Sequence, residues 1–89
     1  MTTRYTIVLS QLAQAEFDEI VHADRKLGRQ ITKAIDRLAE HPELGEFLKG
    51  DRAGYRKYRT GDYRIIYRTE HAQLLIYVIT IDNRKDAYR

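Results

Sequence analysis

Apolar and polar residues alternate along this chain with two different periods, and the switches between them mark out its elements. Tyr5, Ile7 and Leu9 alternate with Thr6 and Val8 in the β-branched run Arg4 to Leu9, which predicts a short strand. Ser10 then offers an N-cap. From Gln11 to Ala23 the apolar residues Ala13, Phe17, Ile20 and Val21 recur at helical spacing while Glu16, Asp18 and Glu19 fall on the other side, so an amphipathic helix is expected. Leu27, Ile31, Ala34, Ile35 and Leu38 form a second apolar stripe, and Pro42 ends it just after His41. The short link from Asp24 to Lys26 makes the two helices a hairpin.

Glu43 to Gly54 holds three glycines and the apolar trio Leu44, Phe47 and Leu48, the pattern of a loop with room for one helical turn, pinned to the core. A period of two then returns. Tyr55 to Thr60, Tyr63 to Thr69 and Gln73 to Asp82 are expected to be three strands of an antiparallel meander, with turns at Gly61-Asp62 and Glu70-His71. The last of them, LLIYVITI, is apolar on both faces, which predicts an interior strand with the helices on one side and neighbours or a partner on the other. The order is β-α-α-β-β-β: an α+β fold with a two-helix hairpin packed on a curved, mainly antiparallel sheet.

Composition narrows the class. With 89 residues the chain is expected to form one domain, 1–89, because it is too short for two cores. It has no cysteine, hence no disulfide framework, thiolate nucleophile or zinc ribbon, and a reducing compartment such as the cytoplasm is expected. The longest apolar run, Leu74 to Ile79, is far below the roughly 20 residues needed to span a bilayer. The N-terminal ten residues lack a signal-peptide core, so neither a membrane nor an export role is expected.

Charge is more informative than size. Residues 1–50 carry 7 Lys/Arg against 8 Asp/Glu, whereas residues 51–89 carry 9 against 5. Between Arg52 and Arg68 stand six cations and the single acid Asp62, and six of the seven tyrosines lie at or after Tyr55. Cations interleaved with rings suit RNA, whose phosphates take Arg and whose unstacked bases take aromatic faces; an Arg-rich solvated sheet has the same composition. Alternation sorts these residues. Lys57 and Arg59 fall on one face of their strand and Arg56 and Tyr58 on the other, while Arg64 and Arg68 share a face opposed to Tyr63, Ile65 and Tyr67. The tail adds Arg84, Lys85, Tyr88 and Arg89.

The usual catalytic residues are missing. His22, His41 and His71 are far apart in sequence and at solvent-facing or capping positions, and the chain has no HExxH, GxGxxG, Walker loop or close Ser-His-Asp set. No metal and no cofactor are expected. A cationic face can nevertheless cleave RNA, because the 2′-OH beside the scissile phosphate is a built-in nucleophile. The protein must align the strand, neutralise the transition-state charge and move protons. Arginines do the first two through planar bidentate contacts. A lysine among arginines is a candidate base, since like charge disfavours its ammonium form, and a tyrosine among cations is a candidate for proton transfer or base stacking. Lys57 and Tyr88 are those candidates here.

These residues resemble a family. Leu48-Lys49-Gly50, then YRKYRTGDYR from Tyr55 to Arg64 running into Ile65-Ile66-Tyr67, a strand, and NRKDAY from Asn83 to Tyr88 are similar to the RelE/ParE superfamily of toxins of toxin–antitoxin modules. The likeness spans Tyr5 to Tyr88 and implies a RelE-like fold of the same element order. RelE-branch members are mRNA endonucleases that cut message in the ribosomal A site, leaving a 2′,3′-cyclic phosphate and a 5′-hydroxyl; ParE-branch members act on DNA gyrase and lack the nuclease residues. By position, the resemblance makes Arg64 the arginine on the scissile phosphate, Arg84 the later arginine and Tyr88 the terminal tyrosine. Lys57 and Arg59 correspond to the basic pair on the preceding strand, with Arg56 a substitute one residue away, and Arg68 and Lys85 extend the RNA-binding surface.

Asn83 stands where some branches carry a histidine, so a histidine-dependent mechanism is not expected, and neither is a terminal helix after Tyr88. Tyr88 together with Arg64 and Arg84 favours the nuclease branch. The resemblance also implies a cognate antitoxin, and a basic, tyrosine-lined surface suits an acidic segment that folds on binding. A gyrase-directed toxin and an inactive RNA- or protein-binding relic are the alternatives.

Overall fold

The computed structural model describes residues 3–83. They form β1 (Thr6–Leu9), α1 (Gln11–Ala23), α2 (Arg25–Glu40), β2 (Glu46–Phe47), β3 (Arg56–Thr60), β4 (Tyr63–Glu70) and β5 (Leu75–Asn83), with single 3-10 turns at Pro42–Leu44 and Gly50–Arg52. The Ser10 hydroxyl caps α1 by accepting from the Ala13 amide. Asp24 needs no linker on either side of it. Its amide donates to the last turn of α1 while its carboxylate caps α2 at Leu27, so α2 starts two residues earlier than its apolar stripe. At the helix crossing, a Cβ on Gly28 would meet Val21 Cγ2 at 2.8 Å and Val21 Cα at 3.2 Å, which is why a glycine stands on this face.

The five strands make one mixed sheet in the order β1-β5-β4-β3-β2. The expected meander is present, as β3, β4 and β5 pair antiparallel in sequence. β1 pairs parallel with β5, and the helical hairpin supplies the crossover that a parallel pair requires. As expected, β5 is interior, between β1 and β4. Both helices cover one face, where Ala13, Ile20, Ile31, Ala34, Ile35 and Leu38 pack on Ile65, Tyr67, Ile76, Val78 and Ile81.

Three local features depart from the sequence pattern. The segment after α2, expected as a loop, contributes β2 to the edge of β3 through Glu46↔Lys57 and Phe47↔Arg56. The turn before β5 runs through Leu74, which adopts a left-handed φ of 53° and is exposed, so β5 starts at Leu75, two residues later than the expected Gln73. Finally, β5 is not apolar on both faces by design of the strand alone. Ile66 pairs with Thr80 but Tyr67 pairs with Val78, which leaves Ile79 as a bulge. Strict alternation from Ile76 and Val78 would turn Thr80 and Asp82 toward the helices; the extra residue resets the phase, and Ile81 enters the core instead.

A buried tyrosine ties the irregular segment down. The Tyr67 hydroxyl donates to the Pro42 carbonyl at 2.7 Å and accepts from the Gly45 amide at 2.9 Å. Desolvation raises the Tyr67 hydroxyl above its usual 10.0, opposed by the Gly45 hydrogen bond and by the charge of Arg56. A Cβ on Gly45 would lie 2.5 Å from the Tyr67 hydroxyl oxygen, so the anchor requires glycine there.

Candidate functional site

The face of the sheet away from the helices is assembled by register. Arg59, Arg64 and Asp82 lie side by side across β3, β4 and β5. The next row is Glu46, Lys57, Ile66 and Thr80, across β2 to β5. Below the bulge Arg68 lies beside Tyr77, which lies beside Val8 of β1. Lys57, Arg59, Arg64 and Arg68 therefore share this open face, as alternation along the strands leads one to expect.

Their surroundings differ. Arg64 is shielded and ion-paired: its Nη2 lies 3.7 Å from Asp82 Oδ2, with only 22% and 30% of the two side chains exposed, and its Nε is buried without a hydrogen-bond partner among the described residues. Arg68 is exposed, 3.8 Å from Glu70 and stacked 5.4 Å over the Tyr77 ring. Lys57 and Arg59 border a recess of about 350 Å³ together with Glu46, Leu44 and Tyr58. The chemistry open to such a face is phosphate binding by the guanidinium groups and stacking on Tyr77, with Glu46 and Lys57 setting a carboxylate and an amine on adjacent strands.

Arg56 is not part of it. Its partner across the strand is Tyr67, on the helix side; its Nη1 donates to the carbonyls of Gly45 at 2.8 Å and Glu43 at 3.3 Å, and its guanidinium sits 3.8 Å over the Phe47 ring. Arg56 pins the segment after α2 and cannot stand in for Lys57 or Arg59. The other expected site residues, Arg84, Lys85 and Tyr88, lie outside the described residues.

Two carboxylates belong to this face and escaped the sequence reading. Glu46 fell in an expected loop, and only the pairing of β2 puts it beside Lys57. Asp82 reaches Arg64 only through the bulge. Adding Glu70, three acids join four cations, so the face is less basic than the run from Arg52 to Arg68 suggests. The histidines lie elsewhere: His22 is exposed at the end of α1, His41 follows α2 with Glu43 3.7 Å away, and His71 bonds the Tyr5 hydroxyl at 2.8 Å in the β4–β5 turn. Among the described residues no group of His, Cys, Asp and Glu is placed to hold a metal ion.

Residues 7–88 match the family model described as the ParE toxin of type II toxin–antitoxin systems, parDE. The chain belongs to this toxin family. Relatives within the RelE/ParE superfamily carry both kinds of name. Toxin ParE1 of Mycobacterium tuberculosis is 32% identical over 98 residues, covering 100% of this chain and 98% of its own length. Toxin RelG of the same organism is 27% identical over 86 residues, covering 96% and 97%. Among solved structures, the RelBE2 toxin–antitoxin complex of M. tuberculosis superposes with a TM-score of 0.80 at 22% identity, over 91% of this chain and 99% of that one. The YoeB/ParE toxin of Agrobacterium tumefaciens gives 0.78 at 26% identity, over 88% and 96%. The chain is the toxin of a type II toxin–antitoxin system, built on the two-helix, mixed-sheet fold of these proteins. Among the described residues of this family member, no helix is long and apolar enough to cross a membrane.

Proposed function

We propose that this toxin is a ribosome-dependent endoribonuclease that cuts mRNA in the A site and acts in the cytoplasm, without metal or cofactor. The observation that carries the reading is the cluster of Lys57, Arg59 and Arg64 in two neighbouring rows of adjacent strands on one open face. In the reaction the 2′-oxygen forms a bond to phosphorus as the bond from phosphorus to the 5′-oxygen breaks, leaving a 2′,3′-cyclic phosphate and a 5′-hydroxyl. Arg64 binds the scissile phosphate and, with Arg59, offsets the charge that builds on it. The Glu46–Lys57 pair supplies a carboxylate ready to accept the 2′-OH proton and an ammonium to hold the strand or protonate the leaving oxygen. Arg84 and Tyr88 complete the catalytic set by resemblance, Lys85 is a further RNA-binding residue by sequence, and Arg68 with Tyr77 extends the RNA track.

The partner that restrains it is a cognate antitoxin, as in the toxin–antitoxin complexes of RelBE2 and of YoeB with YefM. The cationic open face suits an acidic antitoxin segment that folds as it binds. The relatives named ParE1 favour one alternative, a toxin acting on DNA gyrase without nuclease activity.

The test is induction of the toxin alone, followed by primer extension on an abundant translated message with and without a translation block. Codon-phased cuts that vanish under the block are the expected result. Growth arrest with intact message and a supercoiling defect would replace the nuclease reading with the gyrase one.

A further inference from the structure

We infer that Asp82 is a positioning residue that, with Thr80 and Glu16 behind it, fixes the Arg64 guanidinium on the open face. This deepens the nuclease reading, in which Arg64 meets the scissile phosphate. Arg64 stands between a like charge and an opposite one, Arg59 on β3 and Asp82 on β5. Directly opposed like charges repel across a strand pair, so without Asp82 the long Arg64 side chain would turn away from Arg59 and populate several rotamers. Asp82 Oδ2 draws it back at 3.7 Å, in a pair shielded enough that salt screens it less than a surface contact.

Asp82 is itself oriented from α1. The Thr80 hydroxyl lies 3.0 Å from Asp82 Oδ1 and 2.7 Å from Glu16 Oε1, and with one proton it donates to one carboxylate at a time. Glu16 Oε1 also accepts the Ile81 amide at 2.9 Å, which ties α1 to the stretch of β5 beyond its last pair with β1, Leu9↔Val78. The bulge at Ile79 completes the arrangement. By resetting the phase of β5 it brings Thr80 and Asp82 to the open face and leaves Ile81 in the core. Thr80 thus stands between Glu16 of α1 and Asp82, and orients Asp82 toward Arg64 whenever its hydroxyl proton points to Asp82.

The test is a double-mutant cycle of Asp82→Asn and Arg64→Gln in the full-length toxin, read as single-turnover cleavage on programmed ribosomes and as growth arrest in cells. Asp82→Asn is expected to lower the cleavage rate constant about tenfold with little change in the half-saturating ribosome concentration, the signature of a misplaced group. In the Arg64→Gln background it should cost about nothing further, because residues that act through one another are not additive. Thr80→Val, which keeps the charge of Asp82 and removes the hydroxyl that Asp82 shares with Glu16, should lower the rate about threefold with the same dependence on Arg64; it stands in for Asp82→Asn should that variant fail to fold. Equal losses in both backgrounds would overturn the inference, since Asp82 would then act on the fold as a whole. An unchanged or faster rate would overturn it too, by making Asp82 a mere neutraliser of Arg64. If the wild-type toxin arrests growth without cutting RNA, the nuclease reading fails, and the same cycle read in growth arrest still decides whether Asp82 acts through Arg64.

Discussion

The two faces of β4 are made of neighbouring residues and obey different rules. Ile65 and Tyr67 point into the helix layer, where they pack in the apolar core and the Tyr67 hydroxyl meets backbone partners in the segment after α2, with Arg56 across the strand. Arg64 and Arg68 point the other way, into a grid of cations, acids and one tyrosine. A strand turns alternate side chains to opposite faces, so one eight-residue segment serves as both the centre of the core and the centre of the candidate site. The comparison teaches that changes one residue apart should separate stability from toxicity.

The sharpest break is Arg64→Ala. It should reduce cleavage and growth arrest by on the order of 100-fold or more, with the folded state retained by circular dichroism, as expected for loss of a transition-state charge partner. Its neighbour gives the opposite result: Ile65→Ala should cost about 2–5 kcal/mol in denaturant unfolding, while whatever protein remains folded stays toxic.

Tyr67→Phe sharpens the comparison within the core face. It strands the Pro42 carbonyl and the Gly45 amide, and should cost about 1–3 kcal/mol without changing the cleavage rate constant. The same hydroxyl predicts an alkaline limit. Its folded pKa is raised above the unfolded value of 10.0, so the folded state holds a proton that the unfolded state releases. Its contribution is complete below pH 10 and is lost as pH rises through the folded pKa; unfolding followed above pH 10 should show this decline in the wild type and less of it in Tyr67→Phe. The smallest effect belongs to Arg68→Ala, whose partners are solvent-exposed: stability should change by no more than about 0.5 kcal/mol and cleavage by a few-fold. A loss as large as that of Arg64→Ala would mean that the lower part of the open face, near Tyr77, carries the phosphate contact.

How far the site could be read in advance follows from which contacts are local. The placement of Lys57, Arg59, Arg64 and Arg68 on one face, and of Arg56 on the other, follows from alternation within β3 and β4 and from the tight turn at Gly61-Asp62 that sets their register. The acids could not be read this way. Glu46 is brought in by a two-residue strand too short to show any period, and Asp82 by a bulge that inverts the period of its own strand. Alternation places Arg56 on the helix side, but its carbonyl partners are supplied by backbone around Glu43 and Gly45, where side-chain pattern is silent.

The sequence by itself determined the element order, the helical hairpin, the β3–β4–β5 meander and the sorting of β4 into an apolar and a cationic side. All of these rest on periodicity, caps and turns, which act between residues near in the chain. Tertiary structure alone decided that β1 runs parallel beside β5, that β2 exists, and that Ile79 bulges so that Asp82 meets Arg64. Each of those depends on backbone hydrogen bonds or charge pairing between segments distant in sequence, which form only when the helix layer has fixed where the strands lie.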